Sequence, residues 1–177
     1  TSNPDGTTGI TVIHDRGQGG LFTGGNFVSD ADGVLTGGVN NFEFKNHKSA
    51  NFDANRHGYF HYVLLPHQYN TNSWSSGQAE FPGDDMIVSL YCARSTRNVA
   101  NTIMHELGHN LNLGHGGSWF THCNWKPNYN SVMNYKYQFG GVDNDCDSTP
   151  DNVLDYSNGD RIDLDENNLV ESDGTCG

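Results

Sequence analysis

The sequence predicts an α+β fold, and three observations carry that reading. Short β-prone runs come first, one amphipathic helical segment follows them, and the remainder is irregular. Strands and helix are segregated along the chain instead of alternating, which separates α+β from the βαβ pattern of parallel sheets.

Taken in order, Gly9 to His14 (GITVIH) reads as a strand because β-branched residues are bounded by Gly and by charged turn signals. Tyr59 to Leu65 is a second strand, stopped by Pro66, and Met86 to Tyr91 a third, entered from the turn-like Pro82-Gly83-Asp84-Asp85. Between them Ser76 to Phe81 has the polar character of an edge strand. The helix is expected over Thr96 to Leu111. Ser95 or Thr96 caps its start, and Val99, Ile103, Leu107 and Leu111 form an i, i+4 stripe expected to be buried. After Leu111 the reading is loops and a short helix near the C-terminus.

A length of 177 residues suits one compact domain or a small two-lobed one. No apolar run approaches the roughly 18 residues of a membrane span, so a transmembrane protein is excluded. The net charge of -12 argues against nucleic acid as the main partner, because phosphate contacts need clustered Lys and Arg. The charge is uneven: residues 1–142 are nearly neutral at -2, while 143–177 carry 11 acids against Arg161 alone. That asymmetry points to a local cation site or a solvated acidic tail.

Cys92, Cys123, Cys146 and Cys176 are widely spaced with no CxxC pair, which fits two disulfides and a secreted, extracellular setting. The polar, Gly-rich Thr1 to Gly9 is no signal peptide, so a processed form is expected.

The helix carries His105-Glu106-Leu107-Gly108-His109. Four helical residues turn the chain by about 400°, which sets His105 and His109 a turn apart on one face, able to grip one metal ion. Glu106, about 100° further round, can reach a metal-bound water without ligating the metal. A third ligand is needed, and a distant Glu, a distant Asp or another nearby His would serve. His115 lies six residues beyond His109 between Gly114 and Gly116, and Asn112, tolerant of the left-handed region, sits where the chain must turn.

The pattern His105-Glu106-x-x-His109-x-x-Asn112-x-x-His115 resembles the long zinc signature of the metzincin clan of metalloendopeptidases, with Asn in the usual Gly position. Ser131-Val132-Met133-Asn134-Tyr135 resembles the clan's Met-turn, a tight 1,4-turn beneath the zinc. The likeness covers about residues 76 to 140. The Tyr two places after the Met is shared with astacin-like and serralysin-like members, HELGHNL is similar to adamalysin-like members, and the pieces resemble bacterial members most.

The resemblance implies a twisted mixed sheet with the active-site helix in an N-terminal lobe (about 1–115) and a smaller irregular C-terminal lobe (about 116–177). It implies zinc on His105, His109 and His115, with one position open for water whose pKa falls to roughly 7. Glu106 is then general base and acid, Tyr135 a second donor to the oxyanion, and Met133 an apolar floor. Gln78, Ala79 and Glu80 would pair with an extended peptide, and Lys136 to Phe139 would wall the pocket after the cleaved bond. By analogy Cys92 would pair with Cys176, and Cys123 with Cys146. The expected partner is a peptide or protein substrate, and the expected state a monomer.

In the tail, Asp143, Asp145 and Asp147 alternate as a loop around a hard cation would. Asp155, Asp160, Asp163 and Glu166 approach an EF-hand count, but Gly159 comes one place early, so a true EF-hand is rejected and calcium is retained as a possible second metal. The other histidines, His14, His47, His57, His61, His67 and His122, are not read as ligands. Two competing functions stay open: a gluzincin-type peptidase whose third ligand is a downstream acid such as Glu166, and a non-catalytic zinc-binding or adhesion module.

Overall fold

The computed structural model of the chain describes Val28, Asp32 and residues 34–71, 73–91, 95–118, 123–147, 149–159, 161, 165 and 167–168. The described elements all fall in Gly33–Gly177, the second of two units into which the chain divides. The strand expected over Gly9 to His14 lies outside the described residues, as do His14, Cys92, His122, Asp160, Asp163, Glu166 and Cys176.

The described residues form an α+β arrangement: β1 (Val34–Leu35), α1 (Phe42–Asn51), a 3-10 turn (Ala54–Arg56), β2 (Tyr62–Leu64), β3 (Gln68–Tyr69), β4 (Gly77–Ala79), β5 (Asp85–Val88) and α2 (Thr96–Asn110). β1 pairs in parallel with β3. The second sheet has the order β2-β5-β4, with β2 parallel and β4 antiparallel to β5, so β4 is an edge strand as its polarity suggests. The second and third expected strands are present in shortened form.

Helix α1 is not anticipated by hydropathy, because the residues it buries are Phe44 and Lys48, one apolar and one charged. It is specified at its start instead. Asn41 Oδ1 accepts the Glu43 N–H at 3.1 Å, and Glu43 Oε2 accepts the Thr36 N–H at 2.7 Å. Phe44 meets the Tyr62 ring edge-on at 5.6 Å, within a core of Leu35, Val39, Tyr62, Tyr69 and Ile87. Lys48 Nζ bonds Asp84 at 3.1 Å and also Asp85 at the start of β5, tying α1 to the β4–β5 hairpin. Burial lowers the Lys48 pKa, but the two carboxylates outweigh it and leave the ammonium above its ordinary value.

Helix α2 packs on β4 and β5. Ser95 caps it, accepting the Asn98 N–H at 3.1 Å, as the sequence suggests. The expected buried stripe is not the buried face: Val99, Ile103 and Leu107 are half-buried and Leu111 is exposed, whereas Asn101, Thr102, His105, Glu106, Gly108 and Asn110 are buried. The reason is that this face meets polar partners. Asn110 Nδ2 donates to the carbonyls of Glu80 (3.0 Å) and Asp85 (3.1 Å), and Asn101 Nδ2 donates to that of Phe139 (2.8 Å).

Among the described residues no helix follows α2. The segment beyond residue 123 is held by turns, by the bridge between Val142 and Val153, and by the buried side chains of Val132, Met133, Tyr137 and Val142. The pairing of Cys123 with Cys146 is corrected: Cys123 is a free thiol standing at the surface, facing solvent instead of a partner sulfur.

Candidate metal centre

The helical spacing brings the His105 and His109 rings to 4.9 Å between centroids, edge to face. α2 then ends where Asn112 takes φ 71°, with the Leu113 N–H donating to Gly108 O at 2.8 Å and the Asn112 N–H to His109 O at 2.9 Å. These bonds satisfy the carbonyls that a helix end leaves open. Gly114 and Gly117 exchange N–H···O bonds at 3.0 Å, closing a small hairpin that swings His115 back. Its Nε2 lies 3.2 Å from Nε2 of His105 and 3.0 Å from Nε2 of His109.

The other ring nitrogens decide what those three atoms are. His105 Nδ1 lies 2.8 Å from Val132 O, and His109 Nδ1 lies 2.9 Å from Leu113 O. A carbonyl only accepts, so each Nδ1 carries the proton and each Nε2 presents a lone pair. His115 Nε2 lies within 3.2 Å of both lone pairs, close enough for one cation to be shared by all three nitrogens. Tetrahedral zinc with N ligands at about 2.0–2.1 Å would hold its nitrogens roughly 3.3 Å apart, so the set fits that ion. Burial pushes His105 down to about 3 and lowers His109 as well, which keeps both imidazoles neutral and ready to ligate.

Glu106 is 3% exposed, and burial raises its carboxyl to about 8. Gly77 faces it across the cleft. A Cβ there would come within 2.6 Å of both Glu106 Oε1 and Ile87 O, so glycine at 77 makes the room that Glu106 occupies. Tyr135 stands over the imidazoles, its ring centroid 4.4 Å from His115 and 5.7 Å from His105. Burial, then the nearby Glu106 and Tyr69, raises its hydroxyl pKa.

Beneath the imidazoles the Asn134 N–H donates to Ser131 O at 2.9 Å, closing a 1,4-turn, and the Met133 N–H donates to Ser131 Oγ at 3.2 Å. Met133 is fully buried against α2, where a Cβ at Gly108 would meet its Sδ at 2.2 Å. Asn134 Nδ2 anchors the turn to the carbonyls of Lys126 (2.8 Å) and Tyr129 (3.0 Å).

These groups open into a cleft of about 610 Å³ whose lining includes Gln78 and Ala79 but not Glu80. Glu80 Oε2 accepts the Asp84 N–H at 3.1 Å, so its side chain turns back into the hairpin, and Gln78 Oε1 accepts the Val39 N–H at 3.0 Å. The Glu80 N–H donates to Asp85 O and the Ser89 N–H to Ser76 O. Residues 76, 78 and 80 therefore direct their backbone groups to β5, and Gly77 and Ala79 direct theirs outward. Ser75 Oγ donates to Gly77 O at 2.7 Å, leaving the Gly77 N–H and both Ala79 groups as the pairing edge.

Sequence reasoning puts Gln138 in a pocket wall over Lys136 to Phe139, of which only Gln138 and Phe139 line the cleft. It puts Gly77 and Phe81 in the edge strand without the contacts they make, while Trp74 is given no role. Gly77 clears space for Glu106, and Phe81 meets His109 edge-on at 5.5 Å. Gln138, itself buried, donates from Nε2 to Ser76 Oγ at 3.1 Å, and the exposed Trp74 also lines the cleft. None leaves a local sequence signal, because each acts through a contact made only in the folded chain.

In the acidic tail, carboxylates of Asp143, Asp145 and, unforeseen, Asp151 lie within 4.8 Å of one another. Asp147 and Asp155 stand outside this group and brace turns, accepting the N–H groups of Thr149 (2.7 Å) and Tyr156 (2.8 Å).

Comparison with known protein families, with curated proteins and with solved structures gives no match.

Proposed function

We propose that the chain is a zinc-dependent endopeptidase of metzincin type that hydrolyses peptide bonds in extended protein substrates. The observation that carries this reading is the convergence of three imidazole Nε2 atoms beside a buried carboxylate, Glu106, in a cleft bordered by an open strand edge. His105, His109 and His115 would hold the ion, which when bound supplies a Lewis acid and makes water acidic near neutral pH.

The chain's own groups account for the remaining steps. The outward backbone of Gly77 and Ala79 pairs with the substrate as an added strand and holds it extended across the cleft. Glu106, buried at the cleft wall, takes the proton of the attacking water and passes it to the departing amine. The Tyr135 hydroxyl donates to the carbonyl oxygen as that atom gains negative charge. Met133 and Val132 keep the floor dry and the His105 ring in place.

His115 among the imidazoles favours this assignment over a gluzincin-type site with an acidic third ligand. A structural zinc site needs no general base, so buried Glu106 also argues against a non-catalytic module.

Glu106→Ala tests the reading. Hydrolysis of a denatured protein should fall by about 10²–10⁴-fold with zinc content unchanged. Equal hydrolysis by the variant and the parent would sink it.

A further inference from the structure

The cleft has a chemical character that the zinc site does not dictate. Of its described lining residues, Glu106 is the only Asp, Glu, Lys or Arg, in a chain whose net charge is -12. The rest of the lining is Ser, Gln, Gly, Ala and His with five aromatic residues.

Of those aromatics Tyr135 stands over the imidazoles, and the other four mark the ends of β4. At its start stand Trp74 and Tyr69, with Phe139 brought alongside because Gln138 bonds Ser76. At its end stands Phe81, packed on His109. Trp74 is the most unusual of them, with 93% of its surface exposed on a loop that is tied at several points. The Ser73 N–H donates to Asn70 O (3.0 Å), the Ser75 N–H to Ser73 Oγ (3.1 Å), and Ser75 Oγ to Gly77 O (2.7 Å). An anchored loop thus holds a large apolar side chain in water at the rim of a cleft, where covering it would return hydrophobic free energy.

We propose that this cleft selects extended peptides whose side chains on both sides of the cleaved bond are uncharged and aromatic or large aliphatic, and that Trp74 sets the preference at one end. The proposal rests on the endopeptidase reading and names its substrate class. Seven residue steps separate Trp74 from Phe81, at most roughly 23 Å at about 3.3 Å per step, so a peptide of about eight residues is long enough to touch both ends. Away from the ion and Glu106, toward the aromatic ends of the cleft, a charged side chain would lose hydration without meeting an oppositely charged lining residue.

The test uses the zinc-loaded protein and a fluorogenic octapeptide library randomised at each position. The parent should enrich Phe, Tyr, Trp, Leu, Ile or Met on both sides of the cut and deplete Asp, Glu, Lys and Arg. Trp74→Ala, a substitution on an exposed side chain, should flatten the preference at one terminal position of the cleft. It should raise KM about tenfold for the best octapeptide with kcat within twofold, and leave KM unchanged for a tetrapeptide that spans only the cleaved bond. Trp74→Phe should restore the octapeptide KM. An unaltered profile in Trp74→Ala, an equal loss on both peptides, or a parent profile led by charged residues overturns the inference. A parent no more active than Glu106→Ala instead overturns the peptidase reading beneath it.

Discussion

Nδ1 of His105 and the carbonyl oxygen of Val132 lie 2.8 Å apart, so the turn below α2 holds one imidazole by a hydrogen bond. Val132 is fully buried and its N–H donates to Asp155 O at 2.9 Å, which fixes the carbonyl's position in turn. An imidazole oriented this way has its tautomer set by the protein itself.

His115→Ala should lower zinc affinity by more than the roughly 10- to 100-fold that loss of an outer-shell partner costs. Competition against a chromophoric chelator reads this directly. Unchanged affinity would mean that the third ligand lies elsewhere in the chain.

Tyr135→Phe keeps the ring over His115 and removes only the hydroxyl. On the proposed mechanism kcat should fall on the order of 10²-fold, with zinc content and KM close to the parent values. Steady-state kinetics at saturating peptide separates this from a packing role, which would leave kcat intact.

The metal-free protein should report the burial of Glu106 as a pH-dependent stability. Its carboxyl titrates near 4.5 when unfolded and at about 8 when folded without metal. Between those values the folded state keeps a proton that the unfolded state has released, so this group's contribution to stability falls as pH rises. His105, lowered from 6.5 to about 3, acts in the opposite sense and below pH 6.5, where its contribution is lost as pH falls. Chelated parent protein should therefore lose stability between pH 6.5 and 8, by about 1.4 kcal/mol per unit at most, while chelated Glu106→Gln should not. Parallel slopes in thermal melts would contradict this.

Gly108 and Met133 should behave as a coupled pair. Gly108→Ala drives a methyl group into Met133 Sδ and should cost about 1–3 kcal/mol, and Met133→Ala alone should cost about 2–5 kcal/mol. In the double variant the new methyl occupies space that Met133 vacated, so the combined loss should be smaller than the sum. Denaturant melts of the four proteins measure the difference, and strict additivity would rule the contact out.

The candidate site was more legible in the sequence than the fold around it. His105, Glu106 and His109 are fixed by helical periodicity alone, and the turn to His115 needs only Asn112 in a conformation Asn tolerates, so both are local. The Ser131–Asn134 turn is local too. Helix α1 escaped because its burial falls on Phe44 and Lys48, and the lysine is satisfied only by Asp84 and Asp85, some 36 residues away. β1 and β3 are two-residue strands paired in parallel, too short to show any period. The stripe on α2 misled because apolar spacing marks the buried face only where the facing surface is apolar, and here it offers carbonyls to Asn101 and Asn110.

The bonds that join α2 and β4 to the segment after residue 130 are unevenly placed. At the base are the contacts of His105 with Val132, Asn101 with Phe139, and the Tyr156 hydroxyl with Met104 O at 2.6 Å. On the β4 side the buried Gln138 bonds Ser76 through two side chains, a contact worth about 1 kcal/mol. If the chain is the proposed peptidase, β4, which would receive the substrate, is tied to this segment through a side-chain pair, and the helix that would hold the ion is tied to it through backbone carbonyls.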